Sequence, residues 1–186
     1  RTLLCQMHNQ LSNFATRVHG LVLAPTRELA IQISKEFNLA AKVANKYMAK
    51  CIAGADNADP IVESISVYGG VDIDSQIASL TGQAESACQQ SIVVVATPGR
   101  LLDILKQTNA AVSSVFANLH VVVFDEADRI AVNSEMAMQV DDILSILKSI
   151  RDSDDELISC LVSATLPEKA TEMCNKWVPR PRIIIR

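Results

Sequence analysis

Four apolar residues, Val121–Phe124, run directly into three carboxylates within four positions: Asp125, Glu126 and Asp128. An apolar run without polar alternation reads as a strand covered on both faces, which belongs inside a sheet. Carboxylates are costly to bury unpaired. Such a strand can end in them only where the sheet opens to solvent or to a ligand. This junction asks for a layered α/β fold with one polar edge.

The rest of the chain follows the same pattern. Short β-rich runs occur at Leu21–Ala24, Ser64–Tyr68, Ile92–Thr97, His120–Asp125, Leu157–Ser163 and Arg182–Arg186. Helical spacing lies between several of them. Leu29, Ile33, Phe37, Ala40, Ala44 and Met48 predict one buried helix face; Met136, Val140, Ile143, Leu144, Leu147 and Ile150 predict a second; Ala170, Met173, Cys174 and Trp177 predict a third. Strands alternating with helices predict a single domain built on a parallel sheet with helices on both sides. Gly54–Pro60 and Asp152–Glu156 read as loops, the acids of the second simply solvated.

Composition narrows the function classes. Hydrophobic residues make up 49% and charged residues 20%, as in an ordinary soluble globular protein. No apolar run approaches the roughly 20 residues of a membrane helix, and the patch from Arg1 to Met7 is too short for a signal peptide. The five cysteines, Cys5, Cys51, Cys88, Cys160 and Cys174, are scattered without zinc spacing. They read as mostly core thiols in a reducing, intracellular compartment, nucleus or cytoplasm left open. His8, His19 and His120 form no cluster and read as structural or surface residues. The net charge of −4 excludes a generic polyanion binder, so any nucleic acid must be held by local backbone and side-chain donors.

In open α/β sheets ligands bind beyond the carboxyl ends of the strands. Four strands here end in polar, turn-like sequence: APTRE, ATPGR, DEAD and SAT. In TPGR, Thr97 can cap a helix, Pro98 suits its first position and Gly99 lets another molecule approach the backbone. Arg100 then sits in the first helical turn, where free N–H groups and the helix dipole already favour an anion. A cation there is unfavourable for the helix alone and makes sense if a phosphate binds. Thr26 and Arg27 repeat the arrangement. Gly69 and Gly70 form a turn without side chains. Asp125 can hold magnesium, often through water, and Glu126 can orient or deprotonate an attacking water. Asp128 can accept hydrogen bonds from Ser163 or Thr165. Plainer readings stand beside these. The acids of DEAD also suit a helix N-terminus, Thr165 and Glu168 have capping-box spacing, and a glycine pair is often only a turn.

In this order, the motifs PTRELA (Pro25–Ala30), GG (Gly69, Gly70), TPGR (Thr97–Arg100), DEAD (Asp125–Asp128) and SAT (Ser163–Thr165) resemble the first RecA-like domain of DEAD-box RNA helicases. The resemblance covers nearly the whole chain. It implies a RecA-like three-layer α/β/α domain with a mainly parallel central sheet. It also implies part of an ATP-dependent RNA helicase that unwinds short duplexes or remodels RNA–protein complexes. By the resemblance, Asp125 and Glu126 serve magnesium–ATP binding and hydrolysis, with Asp125 at the metal. Asp128, Ser163 and Thr165 couple the nucleotide to RNA. Pro25, Thr26, Arg27, Gly69, Gly70, Thr97, Gly99 and Arg100 lie along the RNA backbone, read without regard to sequence. Implied partners are RNA, a second RecA-like domain and activating proteins, with no membrane.

The chain also departs from the family. No Gly-Lys pair occurs anywhere, so the phosphate-cradling loop is absent. Arg1 and Thr2 are expected to begin where that loop would end, leaving Thr2 as a nucleotide-binding residue and residues 1–186 as a partial helicase ATP-binding domain that lacks its loop-bearing strand. The last strand, Arg182–Arg186, is then expected to be displaced, to pair directly with Leu157–Val162, or to leave a gap that another segment fills. The stretches Cys51–Glu63 and Gly82–Gln90 read as longer connections than the family uses, and Asn133–Met136 replaces its Gly-Phe after DEAD-R. Without a second domain this chain alone is expected to be inactive. The rival readings are a non-catalytic RNA-binding or scaffold relative that lost the loop, and a different RecA-like NTPase such as a DNA translocase.

Overall fold

The computed structural model describes residues 17–53, 62–81, 91–107, 110–151, 157–165 and 167–178. Thr2, the expected loops 54–60 and 152–156, the stretch 82–90 and the expected strand 182–186 lie outside them.

Five strands form one sheet: β1 (Arg17–Leu23), β2 (Val62–Val67), β3 (Ser91–Ala96), β4 (Val121–Phe124) and β5 (Ile158–Leu161). Their order is β2-β3-β1-β4-β5, and every pairing is parallel. Parallel neighbours need a crossover, and helices supply it. Among the described residues these are α1 (Arg27–Ala53), α2 (Ile73–Thr81), α3 (Pro98–Lys106), α4 (Ala110–Phe116), α5 (Ala127–Val132), α6 (Ser134–Ile150) and α7 (Glu168–Trp177).

The register matters most for function. Val67 pairs with Ala96, Ala96 with Leu23, Leu23 with Phe124 and Phe124 with Leu161. These are the last residues of all five strands, so the carboxyl ends lie on one line across the sheet. Each strand ends about one residue earlier than its sequence pattern suggests, leaving Tyr68, Thr97, Asp125 and Ser163 beyond the ladder. β1 instead starts earlier, at Arg17, because Ser91 offers it a partner.

β4 lies inside the sheet, as its unbroken apolar run requires. Val122 and Phe124 are fully buried, and Phe124 stacks on Trp177 with ring centroids 5.3 Å apart. Fully burying a side chain of this class contributes about 1.5–3 kcal/mol. α6 buries Val140, Ile143 and Leu147, and α7 buries Ala170, Cys174 and Trp177, on the faces their spacing predicts.

α1 differs from its apolar spacing. Ala40 and Ala44 are exposed, and the buried positions among residues 27–46 are Ala30, Ser34 and Ala41. The face is rotated because its partner is the edge of β2, whose backbone needs polar groups. Ser34 meets the Ser64 hydroxyl at 2.7 Å, and Asn38 and Asn45 bond to the β2 backbone. Of the two cysteines whose exposure is described, Cys174 is buried, as expected of a core thiol, and Cys160 is exposed. The rings of His19 and His120 stack at 5.6 Å, because neighbouring strands β1 and β4 bring them together.

Candidate functional site

The strand-end line becomes a continuous polar rim, because the ladder extends into the motifs. The N–H of Thr97 donates to Val67, that of Ala24 to Ala96, that of Asp125 to Leu23 and that of Val162 to Phe124, each at 2.9 Å. Buried backbone groups must find partners. These bonds fix where each motif leaves its strand. Along the rim the order is GG after β2, TPGR after β3, PTRE after β1, DEAD after β4 and SAT after β5. The sheet thus brings Arg27, Arg100, Asp125 and Ser163 to one edge.

The half of the rim over β2, β3 and β1 carries the arginines. Thr26 stands before α1, and its hydroxyl accepts the Leu29 N–H at 3.3 Å. The Arg27 guanidinium lies over the Tyr68 ring at 5.6 Å. Gly70 has φ +86°, and a β-carbon there would come within 2.8 Å of Arg27 Nη1. The positive φ is what favours glycine at Gly70; the Arg27 guanidinium, at the end of a flexible side chain, could shift aside. Gly69 has open space around it. Thr97 occupies the N-cap of α3 without a side-chain cap bond, and Pro98 follows at the first turn. Arg100 Nη1 donates to the Val71 carbonyl at 2.6 Å and to Gln76 Oε1 at 3.1 Å.

The half over β4 and β5 carries the acids. Asp125 is half-buried, and its Oδ1 accepts the Glu126 N–H at 3.0 Å. Glu126 adopts φ 47°, ψ 48°, the left-handed region, which costs a non-glycine residue about 1–3 kcal/mol. Strain of this kind collects where a side chain must be aimed. Its carboxylate accepts from Arg129 Nη1 at 2.8 Å, which pushes the guanidinium's pKa further up.

Asp128 links the two strand ends. Its N–H donates to Ser163 Oγ at 3.3 Å, Ser163 donates to the Thr165 carbonyl at 2.6 Å, and the Thr165 hydroxyl donates to Asp128 Oδ2. The Thr165 hydroxyl, and after it that of Ser163, hold the Asp128 carboxyl below the usual carboxylate range. The helix-cap reading of SAT therefore fails: α7 has Pro167 at its N-cap without a side-chain cap bond, and Thr165 turns to Asp128 instead. Burial, and next the Asp128 charge, push the Cys174 thiol up, so it stays protonated and unreactive.

An open cavity of about 620 Å³ lies between the halves, with Pro25 and Thr26 on one side and Asp128, Arg129, Met136 and Pro167 on the other. Asn133, where the sequence lacks Gly-Phe, accepts the Met136 N–H at 3.0 Å and starts α6.

Among the described residues no group of three or more His, Cys, Asp or Glu could hold a metal ion by itself. Magnesium usually binds one or two carboxylates together with substrate phosphates and water. Asp125 fits that role, since among the described residues its Oδ2 makes no hydrogen bond while Oδ1 accepts the Glu126 N–H.

A model of the DEAD/DEAH box helicase family matches residues 2–173. The chain belongs to the DEAD/DEAH box helicase family. It is 33% identical to the ATP-dependent RNA helicase DeaD of Buchnera aphidicola over 164 residues, 88% of this chain and 22% of that protein. It is 32% identical to the ATP-dependent RNA helicase CshA of Listeria monocytogenes over 178 residues, 96% of this chain and 28% of that one. The structure of Mss116p bound to ssRNA and AMP-PNP superposes with a TM-score of 0.66 at 26% identity, covering 92% of this chain and 30% of that one. The chain thus spans under a third of the length of these helicases. The parallel sheet and these neighbours make this helicase domain RecA-like, helices packed around a central sheet.

Sequence reasoning missed Tyr68, Gln76, Asn38 and Asn45. Gln76 left one trace: it occupies a core position in the Ile73, Ile77, Leu80 pattern of α2, where an amide is out of place unless it has partners.

Proposed function

We propose that this chain is the part of an ATP-dependent RNA helicase in which an RNA backbone and a magnesium-bound ATP meet along one sheet edge. The observation that carries this reading is the shared register of the five strand ends, which sets the arginine half beside the acid half. Thr26, Arg27, Gly69, Gly70, Thr97, Gly99 and Arg100 form a strip of single cations, hydroxyls and accessible backbone, with Pro25 buried beneath it. Such a strip suits phosphates and 2′-hydroxyls rather than bases, hence single-stranded RNA of any sequence. Mss116p, solved with ssRNA and AMP-PNP, supports the assignment.

Asp125 would hold the magnesium that comes with the nucleotide. When bound, such an ion would supply positive charge beside the transferred phosphoryl group. Glu126, aimed by its left-handed backbone and by Arg129, orients the attacking water and accepts its proton. Asp128 carries the response to RNA, because it bonds Ser163 and Thr165 of SAT and lines the cavity facing Pro25 and Thr26. A second RecA-like domain would close over this edge and complete both surfaces.

The test is ATP hydrolysis by the full protein that carries this chain, with and without single-stranded RNA. Turnover should rise with RNA and disappear in Glu126→Gln. Turnover that ignores RNA overturns the reading.

A further inference from the structure

We propose that Gln76, outside every recognised motif, is the positioning residue that holds Arg100 for an RNA phosphate; this rests on the function proposed above. Gln76 is a buried polar residue, 7% exposed, on the inner face of α2. Its amide is used in both directions. Nε2 donates to the Tyr68 carbonyl at 3.2 Å, and Oε1 accepts from Arg100 Nη1 at 3.1 Å. The partners fix the orientation, since a flipped amide would set NH₂ against a guanidinium and oxygen against a carbonyl.

The consequence for Arg100 is specific. Both of its bonds, to Gln76 and to the Val71 carbonyl, use Nη1. Nε and Nη2 make no bond among the described residues, so two nitrogens carrying three N–H donors remain for a phosphate. An arginine tied by one nitrogen keeps its fork at a fixed angle and does not spend rotamer entropy on binding. Gln76 also ties down Tyr68, whose ring lies under Arg27. Through the turn after β2, one buried amide therefore sets the placement of both arginines.

The experiment compares wild type, Gln76→Met, Arg100→Ala and the double variant in the full protein that carries this chain. Binding of a labelled single-stranded oligouridylate is measured over a salt series, with thermal unfolding and the KM for ATP alongside. A hydrogen bond to a charged group supports roughly a tenfold effect. Gln76→Met should weaken RNA binding by about that factor and lower the salt slope by about 0.7, one phosphate contact on a single strand. The ATP KM should not move. In the Arg100→Ala background Gln76→Met should change RNA affinity by less than about twofold, because the residue acts through that arginine. If Gln76→Met does not fold, Gln76→Glu serves instead: it keeps an acceptor for Arg100, neutralises it, and should weaken binding at least as much. A drop in melting temperature with unchanged RNA affinity, or additive effects in the double variant, overturns the role of Gln76 alone. Failure of wild type to bind, or indifference to Arg100→Ala, overturns the RNA reading and this inference together.

Discussion

The side-chain amide of Asn38 pairs with both backbone groups of Ser64, Nδ2 donating to the carbonyl at 3.2 Å and Oδ1 accepting the N–H at 2.7 Å. Two turns later Asn45 does the same to Val62, at 2.8 and 3.1 Å. Among the described residues β2 is an edge strand, and these are the groups it does not give to β3. α1 thus replaces a missing neighbour strand with two amides, which covers an edge otherwise open to aggregation.

Asn38→Ala should remove two hydrogen bonds and cost about 1–3 kcal/mol. For a domain of this size each kcal/mol lowers Tm by about 2–4 °C. Thermal unfolding checks the loss, and light scattering should show that Asn38→Ala/Asn45→Ala self-associates more than wild type. An unchanged Tm in both variants would show that the amides are dispensable.

Gly70→Ala tests the contact with Arg27. A methyl group at φ +86°, 2.8 Å from Arg27 Nη1, must shift the guanidinium relative to the Tyr68 ring. The left-handed backbone adds a cost of about 1–2 kcal/mol. RNA affinity should fall about tenfold, as for loss of one charged contact. Gly69→Ala, with open space around it and no positive φ, should leave melting temperature nearly unchanged.

Glu126→Gly should separate activity from stability. Glycine relieves a left-handed strain of about 1–2 kcal/mol and gives back about 0.5–1 kcal/mol in chain entropy. The Arg129 pair it removes is exposed and worth little. Melting temperature should therefore equal or exceed that of wild type while ATP turnover is lost. A clear fall in Tm would mean that the Glu126 carboxylate stabilises the fold.

Thr165→Val removes the hydroxyl that holds the Asp128 carboxyl below its ordinary value of 3.8. A group with a lowered folded-state pKa contributes stability above the unfolded value and loses it as pH falls through the folded one. Wild type should therefore be the more stable above about pH 5, by about 1 kcal/mol for one hydrogen bond, and the gap should close below pH 3.8. Denaturant melts at several pH values measure this. A gap that persists at low pH would assign the effect to packing of the methyl group instead.

Much of this molecule is local and therefore readable in the chain. The run Val121–Phe124 had to be an inner strand, because nothing polar interrupts it, and the 3.6-residue spacing of α6 and α7 marked their buried faces. The motif residues were visible because turns, caps and strand ends need particular side chains at neighbouring positions. Partnerships between distant segments were not readable. Spacing placed the α1 contact on Leu29, Ile33 and Ala40, whereas the edge of β2 drew in Ser34, Asn38 and Asn45. Thr165 and Glu168 have cap spacing, yet Asp128, 37 residues away, takes the Thr165 hydroxyl. Gln76 gained its meaning only when Arg100 and Tyr68 arrived beside it. Periodicity records which face a segment buries. Hydrogen bonds between segments depend on strand register and crossover path, and only the folded sheet sets those.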